Sequence, residues 1–537
     1  MRQEGVVVLD NSNIVESYPG ITLPLTQSFI EEAYYQVFKG VLLRLTGSRR
    51  IVSDNDGVLH EMLGSCQGRV YYQISNWYSI LRYLPFSNRI IPIWQEMMGV
   101  ADKEVSADRQ PQASFLRKLV VAKNVIKNIL GTPKEMQGLE GVFADAEGYF
   151  LATYHDGLDN GRLKALYEGL AQKVLPQWDV TLANDLYAFV FTGLAKRRLP
   201  DANAYIANRG TIESMKPIKE LLAIVRDARE SGEVERIAKL ETETDIEEYL
   251  ASGSPLAGRI RGYLAQYGDR YLEELKLESP TYRTCPRLLL DRIVEYAGNY
   301  DTVASAVEGR PLDPPKGGWL TRRFLAMAVT GIKNREASRL DRTRLYGMVR
   351  AIFLSLGENL RQTAEIDCGR DVFYLTIGEV FDCIDGAGGD LKATVAARKK
   401  EYAGYGRMPA MNRLVFVDGR LDQGLSGKAQ GGALSGTPVS SGRVTAGVAV
   451  VNDPQAAGDI TGKILVTKTT DPGWVFLLVR AAGIIAEKGS LLSHTAIIAR
   501  ELGIPAIVNV PDATSMLKDG DTVTMDGGTG TVELRDV

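Results

Sequence analysis

A strand–loop–helix pattern near the C-terminus constrains the fold of this chain more than any other feature of its sequence. The apolar run Ala482–Ala486 has the composition of a buried strand. After a short loop, helical spacing of apolar residues follows Ser493 and stops at Gly503 and Pro505, a common way for a helix to end. Ser493 is a suitable N-cap residue. The pattern therefore predicts a β/α domain with His494 at the N-terminus of a helix.

His494 is the main catalytic candidate. The chain has 537 residues and three histidines, of which the other two are His60 and His155. The backbone N–H groups and the dipole at a helix N-terminus favour negative charge. A neutral imidazole, with an ordinary pKa of about 6.5, is a good nucleophile at pH 7. The position favours a histidine that carries a phosphoryl group. The alternative interpretation is a buried histidine that caps a helix in an α/β core.

Residues 493–506, with the sequence SHTAIIARELGIPA, resemble the phosphohistidine swivel domain of the phosphoenolpyruvate-utilising (PEP-utilising) enzymes. That family includes PEP synthase, pyruvate phosphate dikinase and rifampicin phosphotransferase. The resemblance implies that His494 is the phosphohistidine, with Ser493 and Thr495 beside it in the catalytic segment. The sequence departs from the family at Thr495, where Ala or Gly is usual and where a hydroxyl lies within reach of the imidazole, and at 488–490, where a Gly-Gly pair is common.

The amino-acid composition limits the number of domains, the kinds of partner and the cellular compartment that we expect for this chain. The length suggests about two to four domains, and 45% hydrophobic with 24% charged residues is ordinary for a globular protein. A net charge of −3 gives no electrostatic reason to expect a nucleic-acid or membrane partner. The first residues lack a signal-peptide core. The four cysteines have no metal-site spacing. We therefore expect a cytoplasmic protein with free thiols and no metal site in this chain.

The predicted fold class is multidomain, with a large, mostly α-helical domain followed by a C-terminal β/α domain. By the resemblance, residues 1–417 form the acceptor-binding domain and residues 437–537 form the swivel domain. The Gly-rich segment 418–436 between them predicts a flexible linker. Apolar spacing predicts helices over Gln27–Leu45, Ser114–Leu130, Ile212–Glu230 and Lys333–Gln362. Short apolar runs predict strands over Val444–Val451, Lys463–Thr467, Gly483–Ala486, Ala506–Val508, Thr522–Met525 and Gly530–Leu534.

Several segments resemble the acceptor-binding domain of rifampicin phosphotransferase-like proteins. They are residues 16–26, 68–72, 76–78, 97–100 and 371–376. No segment resembles the family's ATP-grasp domain, and none resembles the pyruvate-binding barrel of PEP synthase. The resemblance therefore implies half of a split system, like phenylphosphate synthase, in which a separate ATP-grasp subunit binds ATP and Mg²⁺. Its reaction partner would be a small hydroxylated aromatic substrate.

A row of arginines is the candidate phosphoryl-binding element. At about 100° per residue, Arg335, Arg339, Arg342 and Arg350 fall within an arc of about 80° on the predicted helix. The planar guanidinium group binds phosphate oxygens bidentately. The alternative is a solvated face whose arginines pair with neighbouring acids such as Glu336 or Asp341, and a similar arginine-bearing helix in the family favours the functional interpretation.

Aromatic residues are candidates for the wall of an acceptor site, although aromatic residues in helices more often belong to a core. The candidates are Tyr18, Tyr71, Tyr72, Trp77, Tyr78 and Trp94. The acceptor hydroxyl also needs a base. The candidates for this role are His60, His155, Glu16 and Lys333.

The expected activity is a dikinase-type phosphotransfer. His494 would accept a phosphoryl group from ATP, giving AMP and phosphate, and pass it to the hydroxyl of a small acceptor, with a phenol or alkylphenol as the first expectation. The alternatives are a rifampicin-like antibiotic phosphotransferase, an ATP-driven condensing enzyme, a PEP synthase-like subunit and a non-enzymatic regulatory phosphocarrier. The length of chain ahead of the carrier domain argues against a mere phosphocarrier.

Overall fold

The chain divides into two compact units that do not follow chain order. The computed structural model describes residues 6–84, 115–199, 215–307, 318–408, 411–422, 434–470, 474–489 and 493–535, with single positions between 87 and 95 and at 202 and 205. The first unit comprises residues 1–190, 275–278 and 330–430. The second unit comprises residues 191–274, 279–329 and 431–537. The boundaries at 417 and 437 stay a prediction, since these units are defined by spatial contacts rather than by the match to a family.

Helices make up most of the described chain, which confirms the predicted fold class. All four predicted helices form over the described residues, and two of them extend well beyond the predicted ends, while residue 114 and residues 212–214 of the predictions lie outside the described residues. The α-helices are Pro24–Thr46, Arg49–Asp54, Asp56–His60, Ile74–Leu81, Phe115–Thr153, Asn160–Val174, Val180–Lys196, Lys216–Ser231, Val234–Ala238, Glu243–Ala251, Pro255–Tyr267, Arg287–Gly298, Tyr300–Val307, Trp319–Gln362, Ile377–Ile384, Leu391–Tyr405, Val475–Leu478, His494–Leu502 and Ala513–Met516. Short 3₁₀ helices are Ile14–Glu16, Leu175–Gln177 and Gly369–Tyr374.

The first unit also contains a five-stranded antiparallel sheet that the sequence analysis did not predict. Its strands are β1 (Val6–Asp10), β2 (Leu63–Cys66), β3 (Arg69–Gln73), β4 (Arg413–Val417) and β5 (Arg420–Leu421). They lie in the order β2-β3-β1-β4-β5. β1 and β4 pair from opposite ends of the unit's sequence, with Val8 opposite Val415. Strands this short show little periodicity in their apolar residues. Pairing between segments that are distant in the chain produces no pattern in the local sequence.

Both ends of the predicted linker are paired, which corrects the prediction that all of 418–436 is flexible. Val417 pairs with Arg420 across a turn whose central residues, Asp418 and Gly419, both have positive φ, at 47° and 76°. Asp-Gly is a favoured pair for such a hairpin turn, because the turn requires φ above zero at both positions. At the other end, Gly436 donates a hydrogen bond from its backbone N–H to the carbonyl of Gly530. Residues 423–433 lie outside the described residues.

The second unit contains the predicted β/α domain, built on a seven-stranded mixed sheet. Its strands are β6 (Thr437–Ser440), β7 (Arg443–Val450), β8 (Ile464–Thr467), β9 (Gly483–Ala486), β10 (Ala506–Val508), β11 (Thr522–Asp526) and β12 (Thr531–Arg535). The order is β12-β11-β7-β8-β9-β10-β6, with β7, β8, β9 and β10 mutually parallel. All six predicted strands are confirmed, and β6 is an additional edge strand.

The two units carry different cores. In the first, buried aromatic and aliphatic side chains of the helix Pro24–Thr46 pack against the C-terminal half of the helix Trp319–Gln362. In the β/α domain, the buried parallel strands β8 and β9 are apolar at every position. Among the described residues, no helix is long and apolar enough to cross a membrane.

Candidate functional site

The segment around His494 has the predicted local structure. The helix His494–Leu502 begins after Ser493, whose hydroxyl accepts a hydrogen bond of 3.2 Å from the backbone N–H of Ala496. The helix ends at Gly503, where φ is 66°. The His494 side chain is buried, with 1% of its surface exposed. A histidine at the capped N-terminus of a helix is suited to hold an anionic group, because backbone N–H groups there point away from the helix.

The hydroxyl of Thr495 bonds to another threonine. It lies 2.6 Å from the hydroxyl of Thr470, and both side chains are buried. Thr470 lies beyond the C-terminal end of strand β8. The residue that departs from the family pattern therefore ties the start of the helix to the neighbouring strand, which gives its hydroxyl a structural partner other than the imidazole.

Arg500 fixes the other side of the same helix. Its Nε donates a hydrogen bond of 2.6 Å to the carbonyl of Val439 in strand β6. Burial lowers the pKa of Arg500 to about 10, which leaves the guanidinium group charged at neutral pH. The helix that carries His494 is thus held to the edge of the sheet as well as to the strand beneath it.

The first unit contains a cavity of about 140 Å³ at which most of the predicted acceptor-site residues meet. They come from the 3₁₀ helix Ile14–Glu16 and the loop after it, from strand β3 and the helix Ile74–Leu81 that follows, and from the long helix Trp319–Gln362. The predicted residues that line it are Glu16, Tyr18, Tyr72, Trp77, Arg335, Arg339 and Arg342. Residues that carry charge and residues that carry aromatic rings therefore share one cavity, although their roles in binding stay a prediction.

Two of the cavity arginines have carboxylate partners. Arg335 forms an ion pair with Asp185, and Arg339 lies 3.9 Å from a carboxylate oxygen of Glu336. Burial alone would lower the pKa of Arg335, and the Asp185 carboxylate raises it overall. Burial and the positive charges of Arg335 and Arg342 lower the pKa of Arg339, against the opposing effect of Glu336. The cavity arginines form a dense patch of positive charge that the neighbouring carboxylates neutralise only in part.

Aromatic rings also line the cavity. Trp77 makes edge contacts with Phe38 and Tyr72, at ring-centroid distances of 4.8 Å and 5.6 Å. The hydroxyls of Tyr18 and Tyr346 contact one another. Burial raises the pKa of both phenols well above 10, so both are protonated at neutral pH. The wall is suited to a flat, apolar ligand with a small number of hydrogen-bonding groups.

Arg350 does not line the cavity, and this corrects its assignment to the phosphoryl-binding row. Arg350 shares a helix face with Arg342, but eight residues further along a helix places it about 12 Å away. It is 1% exposed and donates hydrogen bonds of 3.0 Å to the carbonyls of Lys276 and Leu277. Its guanidinium group binds the backbone of the segment 275–278 within the first unit.

The other candidates lie outside the cavity lining. Tyr71 donates a hydrogen bond to the carbonyl of Met411, and Trp94 packs on Trp77 behind the cavity wall. His60 is exposed and stacks on Tyr35. The remaining candidates outside the lining are Tyr78, which is buried beside Trp94, and His155 and Lys333, of which His155 contacts the carbonyl of Asp156.

The cavity also has lining residues that the sequence analysis missed. They include Tyr34, Phe38, Trp178, Asp185, Ser338 and Tyr346. Tyr346 had a usable signal, because it follows Arg342 by four residues and therefore lies on the same helix face. Asp185 had none, since its place beside Arg335 depends on how two helices distant in sequence pack.

Metal ligands do not cluster in the part of the chain that the structure describes. No group of three or more His, Cys, Asp or Glu side chains there converges on a point. The described residues therefore give no site that fits Mg²⁺.

Comparison with known proteins assigns two segments of the chain. Residues 460–530 match the mobile domain of PEP-utilising enzymes, and residues 178–312 match the fourth domain of rifampicin phosphotransferase. The rifampicin phosphotransferase of Streptomyces sviceus is 29% identical over 325 residues, which cover 56% of this chain and 37% of that protein. That of Bacillus subtilis is 28% identical over 341 residues, which cover 60% of this chain and 38% of that protein.

A shorter similarity is also present. The prodigiosin-synthesising transferase PigC of Serratia marcescens is 48% identical over 106 residues, which cover 19% of this chain and 12% of that protein. The chain thus spans less than two fifths of the length of the curated relatives it matches. The capped helix start at His494, the mixed sheet that supports it and the two matching segments lead to one conclusion: the chain contains a domain similar to the mobile domain of PEP-utilising enzymes.

Proposed function

We propose that this chain is the acceptor-binding and carrier part of an ATP-dependent phosphotransferase. In the proposed reaction, ATP, water and a hydroxylated acceptor give AMP, phosphate and a phosphorylated acceptor. An imidazole nitrogen of His494 attacks at the β-phosphorus of ATP, AMP leaves, and hydrolysis releases the γ-phosphate. The acceptor oxygen then attacks the phosphohistidine and loses its proton to a base, while the imidazole leaves.

The helix start at His494 supports the carrier role. Covalent transfer through a histidine splits a difficult three-party reaction into two steps. Backbone N–H groups at the start of the helix His494–Leu502 favour the anionic oxygens of a phosphoryl group on that residue. The similarity to rifampicin phosphotransferases supports the reaction class.

The cavity of the first unit carries the acceptor half of the proposal. Its arginines offer positive charge for the oxygens of a transferring phosphoryl group, which bear the negative charge of the transition state. Its aromatic wall offers a surface for a planar acceptor such as a phenol or alkylphenol. Glu16, which lines the cavity and is 8% exposed, is the candidate base for the acceptor hydroxyl. The single observation that supports this proposal most is that charged and aromatic residues selected from the sequence line one cavity.

We place the phosphoryl donor on a separate ATP-grasp subunit, which binds ATP and Mg²⁺. The curated rifampicin phosphotransferases are much longer than the segment they share with this chain, which supports a donor site outside these residues. If the donor is separate, the purified chain alone acquires no label from ATP and becomes labelled only when the ATP-grasp partner is added. Self-labelling by the purified chain would contradict this part of the proposal.

The experiment that tests the carrier uses ATP labelled at the β-phosphate together with the partner subunit. We expect acid-labile label on the wild-type chain and none on His494→Ala, with AMP formed only in the first case. His155→Ala is the matched control, because that histidine is exposed and lies outside the cavity lining. Label retained on His494→Ala would exclude the phosphohistidine mechanism.

The acceptor is identified by chasing the labelled chain with phenols, alkylphenols, aliphatic alcohols and rifampicin. Transfer to phenols supports the first expectation, and transfer to rifampicin supports the activity for which the relatives from Streptomyces sviceus and Bacillus subtilis are named. A chain that accepts label and returns it only to the donor would be a regulatory phosphocarrier instead.

ATP-driven condensation is a second candidate function. The 48% identity to a relative named as a prodigiosin-synthesising transferase favours it over the remaining alternatives. In such a reaction the phosphorylated acceptor is consumed by a second substrate, so free phosphate accumulates and the product contains no phosphorus. Mass spectrometry of the product distinguishes this outcome from simple phosphorylation.

A further inference from the structure

We propose that the acceptor bound in the first unit's cavity is an anion, a hydroxylated aromatic carboxylate, and that Arg342 binds its carboxylate group. This inference rests on the proposed function only in taking the cavity as the acceptor site. A phenol or an alkylphenol without a carboxylate group does not belong to this class of substrate. It follows from the distribution of charged side chains around the cavity.

The ion pairs between cavity arginines and carboxylates involve Arg335 and Arg339. Asp185 forms its ion pair with Arg335, and Glu336 is the acidic neighbour of Arg339 at 3.9 Å. The negative charge of Glu16 also acts to raise the pKa of each of these two arginines. The acidic side chains around the cavity are therefore directed at two of its three guanidinium groups.

Arg342 forms no ion pair with a carboxylate among the residues that the structure describes. It lines the cavity, and no hydrogen bond joins its side chain to another described residue. Its Nε is buried without a hydrogen-bond acceptor. A charged group removed from water and left without a partner is costly, so such a group in a binding cavity is suited to an anionic ligand.

Three phenols interact electrostatically with Arg342. Tyr18, Tyr34 and Tyr346 are the groups whose electrostatic interaction with Arg342 is favourable. Burial keeps Tyr18 and Tyr346 protonated, and their hydroxyls contact one another. These phenols offer O–H groups that donate hydrogen bonds to an anion held by the guanidinium group.

The chemistry of the cavity favours an aromatic carboxylate over other anions. One guanidinium group without a counter-charge matches a monoanion, and its planar fork binds a carboxylate through two parallel hydrogen bonds. The rings of Phe38, Tyr72 and Trp77 supply a wall for a flat ligand. A phosphate dianion carries two negative charges, whereas Arg342 supplies only one positive charge that has no ion-pair partner.

The test measures binding and requires no ATP, partner subunit or turnover. The probes are 4-hydroxybenzoate and its uncharged isostere 4-hydroxybenzamide, titrated by calorimetry into the full chain. We expect the wild-type chain to bind the carboxylate at least tenfold more tightly than the amide. Arg342→Gln should bind the carboxylate at least tenfold more weakly than the wild type does and should bind the amide unchanged.

Two further variants separate binding from folding. Arg342→Lys keeps the charge and should recover part of the affinity for 4-hydroxybenzoate. Arg344→Gln is the matched control, because Arg344 lies two residues away on the same helix, is directed at Glu147 and Asp341, and does not line the cavity. Its affinities should equal those of the wild type.

Three results would overturn the proposal. The first is equal affinity of the wild type for the two probes, or no binding of 4-hydroxybenzoate at all. The second is an equal loss of affinity for both probes in Arg342→Gln, which would give Arg342 a structural role. The third is binding of inorganic phosphate that depends on Arg342 as strongly as that of the carboxylate, which would assign the residue to the transferred phosphoryl group. Repeating the titrations with His494→Ala leaves the inference testable even if the phosphohistidine mechanism fails.

Discussion

Thr495 differs from the small residue usual beside the phosphohistidine, and its hydroxyl is engaged by Thr470. The two hydroxyl oxygens lie 2.6 Å apart in a buried position. We expect Thr495→Val, which keeps the side-chain shape and leaves the Thr470 hydroxyl without this partner, to lower the free energy of unfolding by about 1–3 kcal/mol. Labelling of His494 should persist. Urea denaturation and the labelling assay measure the two effects.

A double-mutant cycle provides the control for this prediction. Thr470→Val together with Thr495→Val removes both hydroxyls, so the combined loss of stability should be smaller than the sum of the two single losses. Additive losses, or a loss of labelling in Thr495→Val with normal stability, would show that the Thr495 hydroxyl acts on the imidazole instead.

Arg350 is a structural residue by its contacts, although its spacing groups it with the cavity arginines. Arg350→Met removes the hydrogen bonds to the carbonyls of Lys276 and Leu277 and leaves those carbonyls buried. We expect a loss of about 3 kcal/mol in the free energy of unfolding. Acceptor affinity should stay unchanged in the folded protein. Chemical denaturation measures the first quantity and calorimetric titration the second.

Arg344→Met is the control for Arg350→Met, because Arg344 is on the same helix and its carboxylate contacts are long, at 3.7 Å and 4.0 Å. It should change stability by less than about 1 kcal/mol. A selective loss of acceptor binding in Arg350→Met, without a loss of stability, would restore the residue to the acceptor site.

At the scale of elements, the helix Arg287–Gly298 contacts the short helix Val475–Leu478 within the second unit. The guanidinium group of Arg292 lies 3.6 Å from the ring centroid of Phe476. Glu295 forms ion pairs with Arg292 and with Arg480, at 3.2 Å in the latter case. Because one carboxylate serves two largely buried arginines, its removal leaves both without that partner.

We therefore expect Glu295→Ala to weaken the contact between these helices by about 2 kcal/mol. Hydrogen exchange of the backbone N–H groups of Val475–Leu478 should become faster, while exchange in strand β11 stays slow. The control is Glu533→Ala, which removes an exposed carboxylate 3.9 Å from Arg535 in the same β/α domain. Unchanged exchange at Val475–Leu478 would mean that apolar packing alone holds this contact.

At the scale of the whole molecule, His494 and the cavity proposed to bind the acceptor belong to different compact units, and the proposed transfer requires the phosphoryl group to pass between them. Residues 423–433 connect the two paired ends of the predicted linker. If only their length matters, replacing them with a Gly/Ser tract of equal length should leave the turnover rate within about twofold, since a flexible chain's reach depends on its length.

Deleting residues 423–432 should in turn slow turnover at least tenfold and leave binding of 4-hydroxybenzoate to the cavity unchanged. Steady-state rates and calorimetry measure the two outcomes. Normal turnover of the shortened chain, or equal damage by the Gly/Ser replacement, would contradict a carrier that moves between sites.

Local signals account for the parts of the fold and site that the sequence predicted. The buried strands β8 and β9 are continuous apolar runs. The helix His494–Leu502 begins after Ser493 and ends at Gly503, which are residues suited to cap its two ends. The arginines at 335, 339 and 342 could be grouped because helical spacing places them on one face. The short strands β1 and β4 gave no such signal, because their stability comes from pairing with each other across the length of the first unit.

The sequence by itself determined the β/α domain and the position of His494 at a helix N-terminus, because these depend on residues that are neighbours along the chain. Only the tertiary structure decided which aromatic and charged residues share a cavity. It paired Arg335 with Asp185 and left Arg342 among phenols, and it removed Arg350 from the group by burying it against the segment 275–278. Charge compensation depends on distances between elements far apart in sequence, and those distances exist only after the helices have packed.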